Sequence, residues 1–384
     1  METTDLSGSS GCFAGRVWAP GEGPLVVALR GDTLYDITTR AAPTMTDVLE
    51  QDHPAAFVKG QAGRPLCTLG ELEAESMAAG SDPGRRHFLA PNDLQAVKAC
   101  GVTFAGSMLE RVIEERAEGD TTRARAIRER IGGMIGDRLG NLRPGSEQAA
   151  QVKSALIAEG IWSQYLEVGI GPYAEVFSKA QPMSAVGWGA PVGLHPESSW
   201  NNPEPEIVLA VAGDGRIKGA ALGNDVNLRD FEGRSALLLS KAKDNNASAA
   251  IGPFIRLFDE SYTLDDVRRA ELTLKVEGQD GFVLGGTSSM VEISRDPEDL
   301  VAQTCGAHHQ YPDGFMLYLG TLFAPTEDRD VPGEGFTHKA GDVVTISTPQ
   351  LGTLVNTVRR SPDCQPWAFG ARALMRNLAE RQLV

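Results

Sequence analysis

Apolar residues in this chain cluster in short runs that are interrupted by glycine. "EIVLAVAGDGRIKGAALG" (206–223), "LTLKVEGQDGFVLGG" (272–286) and "DVVTISTPQLGTLVNTV" (342–358) each join two extended runs through a Gly-containing turn. That pattern predicts antiparallel hairpins. Residues 13–38 read as further short strands between Gly-rich turns. Helical spacing is confined to "APTMTDVLEQ" (42–51), with Thr44 as N-cap, to "LGELEAESMAAG" (69–80), and to the stretch 94–170. In that stretch "ARAIRERIGGMIGDRL" and "SEQAAQVKSALIAEGIWSQYL" are charged or amphipathic, and Ser146 and Glu147 open the second. Strands do not alternate with long helices, which argues against a doubly wound parallel sheet. The Gly-, Pro- and charge-rich "AAGSDPGRRHFLAP" (78–91) predicts a boundary between a small N-terminal α+β domain, 1–85, and a larger one, 86–384.

Composition narrows the function. The chain has 384 residues and a formal net charge of −15, which disfavours a nucleic-acid partner. It does not disfavour an anionic small substrate, because a bound cation can invert the local field. The five cysteines are scattered, form no C-x-x-C pair and read as free thiols in a reducing cytoplasm. No membrane-length apolar run and no signal-like start is visible, so a cytoplasmic protein without a membrane partner is expected. There is no P-loop, no G-x-G-x-x-G after a strand, no G-x-S-x-G and no H-E-x-x-H. His308-His309 is a tempting pair, but neighbours in a strand face opposite ways.

The acidic residues change the picture most. Glu204 and Glu206 are two apart at the start of an apolar run, so as strand residues they share a face. With Asp214-Gly215 at the centre of a tight turn, 204 lies opposite 225 and 206 opposite 223, which brings Asp225 to the same face. Three carboxylates at one end of a β-ribbon repel one another unless water or a cation offsets them, so the residues read either as a solvated strand end or as a cation site. Oxygen-only ligation suits Mg²⁺, Mn²⁺ or Ca²⁺ rather than zinc.

The segments that follow, "GNDVNLRD" (223–230) and "SKAKDNNASAAIGPFIRL" (240–257), complete a pattern that resembles the fumarylacetoacetate hydrolase family. The resemblance runs over roughly 88–360. It makes Glu204, Glu206 and Asp225 the metal ligands, Arg229-Asp230 the family's RD pair, Lys243 the active-site lysine and Gly252-Pro253 a downstream turn. In "GFMLYLGTLFAP" (314–325) it places Thr321 at a substrate-carboxylate position. It implies a mixed, largely antiparallel β-roll of the α+β class, a helical cover at about 100–172, and pairing into a homodimer or homotetramer.

Many hydrolase members of that family carry G-x-N-Y-x-x-H-x-x-E, whose His and Glu serve carbon–carbon bond hydrolysis. Here the matching "GVTFAGSMLERVIEERA" (101–117) keeps Glu110 but has Ser107 in the histidine's place. That segment, "YAEVFSKAQP" (173–182) and "SSWNNPEPE" (198–206) are more similar to a dehydratase branch acting on 2-keto-3-deoxy-pentonates. Glu175 matches that branch's active-site glutamate, and Ser107 and Arg229 become substrate contacts. The implied chemistry is dehydration of a 2-keto-3-deoxy acid of the D-arabinonate or D-xylonate type to 2,5-dioxopentanoate. Lys243, its pKa lowered by a nearby metal, and Glu175 move the protons; which is base and which is acid stays open. Hydrolysis of acylpyruvates or 2,4-diketo acids is the alternative, and a catalytically inactive ligand-binding relative is a third.

Overall fold

The computed structural model describes residues 4, 6, 11–118, 120, 122–127, 142–160, 162–321, 323, 325, 327–331 and 335–384. A large mixed sheet and a smaller five-stranded one dominate the described residues. From its outer edge the large sheet runs Glu175–Ala180, Ala96–Gly101, Phe315–Tyr318, Pro205–Val211, Ile217–Asp225, Ala249–Leu257 and Cys12–Ala19, and continues into the strands of residues 23–68. Ala96–Gly101 and Phe315–Tyr318 pair in parallel; the other neighbours named here are antiparallel.

The hairpin runs are apolar on successive residues because the large sheet is covered on both faces. Ile207, Leu209 and Val211 join a core shared with the five-stranded sheet (Leu274, Val276, Ile346, Leu354). Val208 and Ala210 point the other way, into a core closed by helices Met45–Leu49 and Pro54–Gly60. Both short N-terminal helices expected from the sequence form, at Met45–Leu49 and Leu69–Ala79, each opened by a reciprocal Thr–Asp or Thr–Glu capping box.

Residues 1–85 have the expected mixture of strands and short helices, but the sheet runs through them. Cys12–Ala19 pairs with Ala249–Leu257, and the principal core takes Val17, Leu25 and Leu34 together with Leu222 and Phe254. The 85/86 boundary therefore falls within a continuous sheet and core. Phe88 sits at this junction, 1% exposed, its ring 5.5 Å from Phe254 and 5.9 Å from Trp188. Phe88→Ala is expected to cost about 3–5 kcal/mol in a single cooperative unfolding transition. A separate early transition for the N-terminal strands would mean that the sheet does not unfold as one unit.

Three local expectations are corrected. The 206–223 hairpin closes through a three-residue loop, Gly213-Asp214-Gly215, with Ala212 donating its N–H to Arg216 O at 3.0 Å and Gly215 at φ 84°. Left alone, that loop would put the pairing out of step by one residue. A bulge at Lys218 absorbs it, because Val211 pairs with Ile217 and Ala210 with Gly219. Gly252-Pro253 is not in a turn but inside strand Ala249–Leu257, where the pairing with Ile217–Asp225 shifts. A proline lacking an N–H is tolerated at such an irregularity. His308 and His309 lie in a turn closed by Gly306 and His309 rather than in a strand.

The helices of residues 105–170 form a third cluster, with Met108, Val112 and Ile113 packed against Leu156, Leu166 and Ile170. Most of the helix read at 124–139, with glycines 132, 133 and 136, lies outside the described residues. All five cysteines are free thiols. No helix among the described residues is long and apolar enough to cross a membrane.

Candidate metal and proton-transfer site

The observed register is the one that gathers the acids. Glu206 pairs with Gly223, and the Asp225 N–H donates to Glu204 O at 3.0 Å. Side chains at 204, 206 and 225 thus share the face that Val208 and Ala221 occupy deeper in the sheet. The three are buried, and one carboxylate oxygen from each lies within 4.8 Å of the others.

Their surroundings are heavily charged. Lys243 Nζ, from helix Leu239–Lys243, is 2.7 Å from Glu204 Oε2 and 3.2 Å from Asp225 Oδ2. Lys179 Nζ contacts Asp225 Oδ1 at 2.9 Å and donates to the carbonyls of Val226 and Lys243, which uses all three of its protons. Arg111, on helix Ala105–Ala117, reaches Glu204 at 2.6 Å and Glu114 and Glu232 at 2.8 Å each. Glu206 makes no such ion pair among the described residues and accepts only the Gly320 N–H, at 2.7 Å. Six carboxylates (Glu114, Glu175, Glu204, Glu206, Asp225, Glu232) meet four cations (Arg111, Lys179, Arg229, Lys243). The acids outnumber the cations, and the three that converge offer a metal ion only oxygen. The donor set fits a hard ion such as Mg²⁺.

These contacts set the proton affinities. Burial, with Asp225 and Glu204 beside it, pushes the Glu206 carboxyl well up. Burial would raise Asp225 too, but Lys179 and Lys243 outweigh it and hold the acid low. Burial lowers Lys243, yet Asp225, Glu204 and Glu232 together raise it above the ordinary lysine value. The carboxylates that would face a metal are the ones that hold this proton, so a cation taking those carboxylates weakens the hold. Burial, followed by Glu232, raises Glu175 to about 7.

A narrow cavity brings most of the expected residues together: Ser107, Glu175, Lys243 and Thr321 line it beside the three acids. Ser107 Oγ donates to Phe104 O at 2.9 Å, and Thr321 Oγ1 accepts the Phe323 N–H at 3.0 Å. Helix Ala105–Ala117 supplies both Ser107 and Arg111 to this lining. Arg229 is the exception among the expected contacts. It does not line the cavity; its Nε holds Glu114 at 3.2 Å and Asn202 Oδ1 at 2.9 Å, so it buttresses Arg111's partner. Asp230 likewise clamps Ser198 Oγ and the Ser199 N–H, at 2.9 Å each. A second cleft, between Trp18, Trp367 and Phe369, gathers no such set of acids.

Arg111, Glu232 and Lys179 were not foreseen. Ser107, Arg111 and Glu114 follow i, i+4, i+7 spacing, which already puts them on one helix face. Glu232 is one turn beyond Arg229. Lys179 carries no local signal, because only tertiary packing brings it to Asp225.

Residues 172–359 match the family described as fumarylacetoacetate (FAA) hydrolase, C-terminal. A 2-dehydro-3-deoxy-D-arabinonate dehydratase of Saccharolobus solfataricus is 30% identical over 189 residues, 48% of this chain and 59% of the relative. The chain thus matches somewhat over half the length of that relative. A Haloferax volcanii protein named "Probable 2-keto-3-deoxyxylonate dehydratase" is 29% identical over 56% of this chain and 68% of its own. The fold is shared with a solved 2-keto-3-deoxy-D-arabinonate dehydratase complexed with magnesium and 2,5-dioxopentanoate. That likeness has a TM-score of 0.62 at 22% identity and covers 91% of this chain and 99% of the other. The apo form of the same enzyme gives 0.63 at 21% identity, covering 91% and 98%.

Proposed function

We propose that this chain is a metal-dependent hydro-lyase that dehydrates a 2-keto-3-deoxy-pentonate of the D-arabinonate or D-xylonate type to 2,5-dioxopentanoate, a step of oxidative pentose degradation. The observation that carries this reading is one cavity that joins the three-acid cluster to two proton-transfer groups, Lys243 and Glu175, with Ser107 rather than histidine opposite them. The names of the two curated relatives support it.

Glu204, Glu206 and Asp225 would hold the ion, with Mn²⁺ or Ca²⁺ as substitutes for Mg²⁺. Once bound, a divalent cation polarises the C2 carbonyl of a 2-keto acid, which acidifies C3. The chain's own groups then handle two protons. One leaves C3, and one joins the C4 hydroxyl as it departs as water. Water loss leaves a C3=C4 double bond conjugated to the C2 carbonyl; moving a proton from C5 to C3 gives the C5 enol, and its ketonisation yields the aldehyde. Glu175, near 7, has a proton to give at neutral pH and is assigned to the C4 hydroxyl. Lys243, released from Glu204 and Asp225 when these face a cation, is assigned to C3. Thr321 is assigned to the substrate carboxylate and Ser107 to a substrate hydroxyl. Hydrolysis of an acylpyruvate needs a base that activates water for attack, and Ser107 is not one.

The test is incubation with Mg²⁺ and a panel of 2-keto-3-deoxy acids and acylpyruvates, with aldehyde read through a coupled semialdehyde dehydrogenase. Turnover of the pentonates with little acylpyruvate cleavage is expected; the reverse profile favours the hydrolase. The pH profile assigns the roles. With Glu175 as acid, kcat falls as pH rises through about 7, and the limb disappears in Glu175→Gln. A rising limb there exchanges the roles of Glu175 and Lys243.

A further inference from the structure

Glu175 starts from an unfavourable place. Its strand, Glu175–Ala180, is the outer edge of the large sheet, while Glu206 stands on Pro205–Val211, with two strands between. A side chain standing upright from the edge would not turn toward the acids. The residue directly across the ladder from Glu175 is Gly101, the last of strand Ala96–Gly101. Cross-strand partners normally bring their β-carbons to about 4.5–5.5 Å and so prop each other up. Here there is no partner side chain. The Glu175 side chain lies over the bare backbone, so a β-carbon built on Gly101 would overlap Oε2 and come within 2.8 Å of Cδ. Non-bonded carbons settle at about 3.5–4.0 Å, so any side chain at 101 must push the carboxyl away. Gly101 is at φ below zero or in the ordinary extended range, since it is not among the glycines with positive φ. Backbone conformation therefore does not demand glycine here; the space taken by Glu175 does.

We propose that Gly101 is a positioning residue for Glu175: the missing side chain lets the glutamate fold across its neighbouring strand and deliver its carboxyl into the cavity. The inference rests on the reading of Glu175 as a proton-transfer group only for its catalytic consequence; the placement itself is independent of it. The displaced group is the end of a flexible side chain rather than backbone, so Gly101→Ala should fold. The three converging acids lie outside this strand pair and should be unaffected.

The experiment combines a crystal structure of Gly101→Ala, calorimetric Mg²⁺ titration and a double-mutant cycle with Glu175→Gln. Expected are a Glu175 carboxyl moved by about 1 Å or more, Mg²⁺ affinity within about twofold of wild type, and kcat down about tenfold or more with KM less affected. In the Glu175→Gln background the added Gly101→Ala should change kcat less than about twofold, because residues acting through one group are not additive. Full additivity of the two changes, or an unmoved carboxyl, overturns the proposal. If the carboxyl moves but no pentonate is dehydrated by either protein, the positioning stands and the dehydratase reading falls.

Discussion

Lys243→Met is expected to lower kcat about 10³-fold and, in the same protein, to tighten Mg²⁺ binding. The two effects have one cause. Lys243 Nζ sits against Glu204 and Asp225, two of the three acids that converge. An ammonium there competes with a metal for the same oxygens, and burial makes the competition strong because water screens little of it. Methionine preserves much of the stem and its contact with the Phe177 ring, over which the ammonium lies at 5.7 Å. It removes the charge and the proton. The affinity gain should be about tenfold. The metal-free protein should lose about 3 kcal/mol, because two buried carboxylates lose a partner. Steady-state kinetics, calorimetric titration and denaturation with and without Mg²⁺ read the three quantities. Near-normal turnover in this variant would remove Lys243 from the reaction, and weaker Mg²⁺ binding would mean that the ammonium supports the ion rather than competing with it.

What the sequence made legible follows from the range of the interactions involved. The three-acid cluster needed only the period of a strand and the register of a hairpin. The turn was misread and the cluster was still right, because the bulge at Lys218 restores the register that the three-residue loop displaces. Register is held there by burial on both faces: a one-residue slip would exchange Val208 with Leu209 between two cores. The capping boxes at Thr44 and Thr68 are equally local. The parts that stayed hidden depend on contacts between distant segments. The family resemblance makes Arg229 a substrate contact, and nothing local shows that the helix of residues 105–117 brings Glu114 to it at 3.2 Å. The same helix brings Arg111 to Glu204, across 93 positions of chain. The proton affinity of Lys243 in the metal-free protein also answers to the carboxylates around it, whose arrangement no local pattern specifies.

Glu206→Gln should separate function from stability most sharply. Among the three acids it alone has no ion pair in the described structure, and it is 2% exposed. A buried carboxylate without a cation opposes folding, whereas a buried amide that keeps its hydrogen bond does not. Glutamine is isosteric, and its carbonyl oxygen can accept the Gly320 N–H in place of Oε2. The metal-free variant should therefore be at least as stable as the wild type at neutral pH. With Mg²⁺ the order reverses. A ligand at 100 times its Kd stabilises the wild type by about 2.7 kcal/mol, and the variant, short of one charged oxygen donor, should show little of this. Activity should fall by about 10³-fold or more, the scale of losing a Lewis acid. The contrast with Asp225→Asn makes the test specific. Asp225 faces both Lys179 and Lys243, so its loss leaves buried ammonium groups undercompensated and should cost about 3–5 kcal/mol even without metal. Melting curves of both variants in chelator and in Mg²⁺ decide the matter. If Glu206→Gln keeps the full Mg²⁺-induced shift, Glu206 is not a ligand and the ion sits elsewhere; if it is strongly destabilised in chelator, its carboxyl is already paired in the metal-free protein.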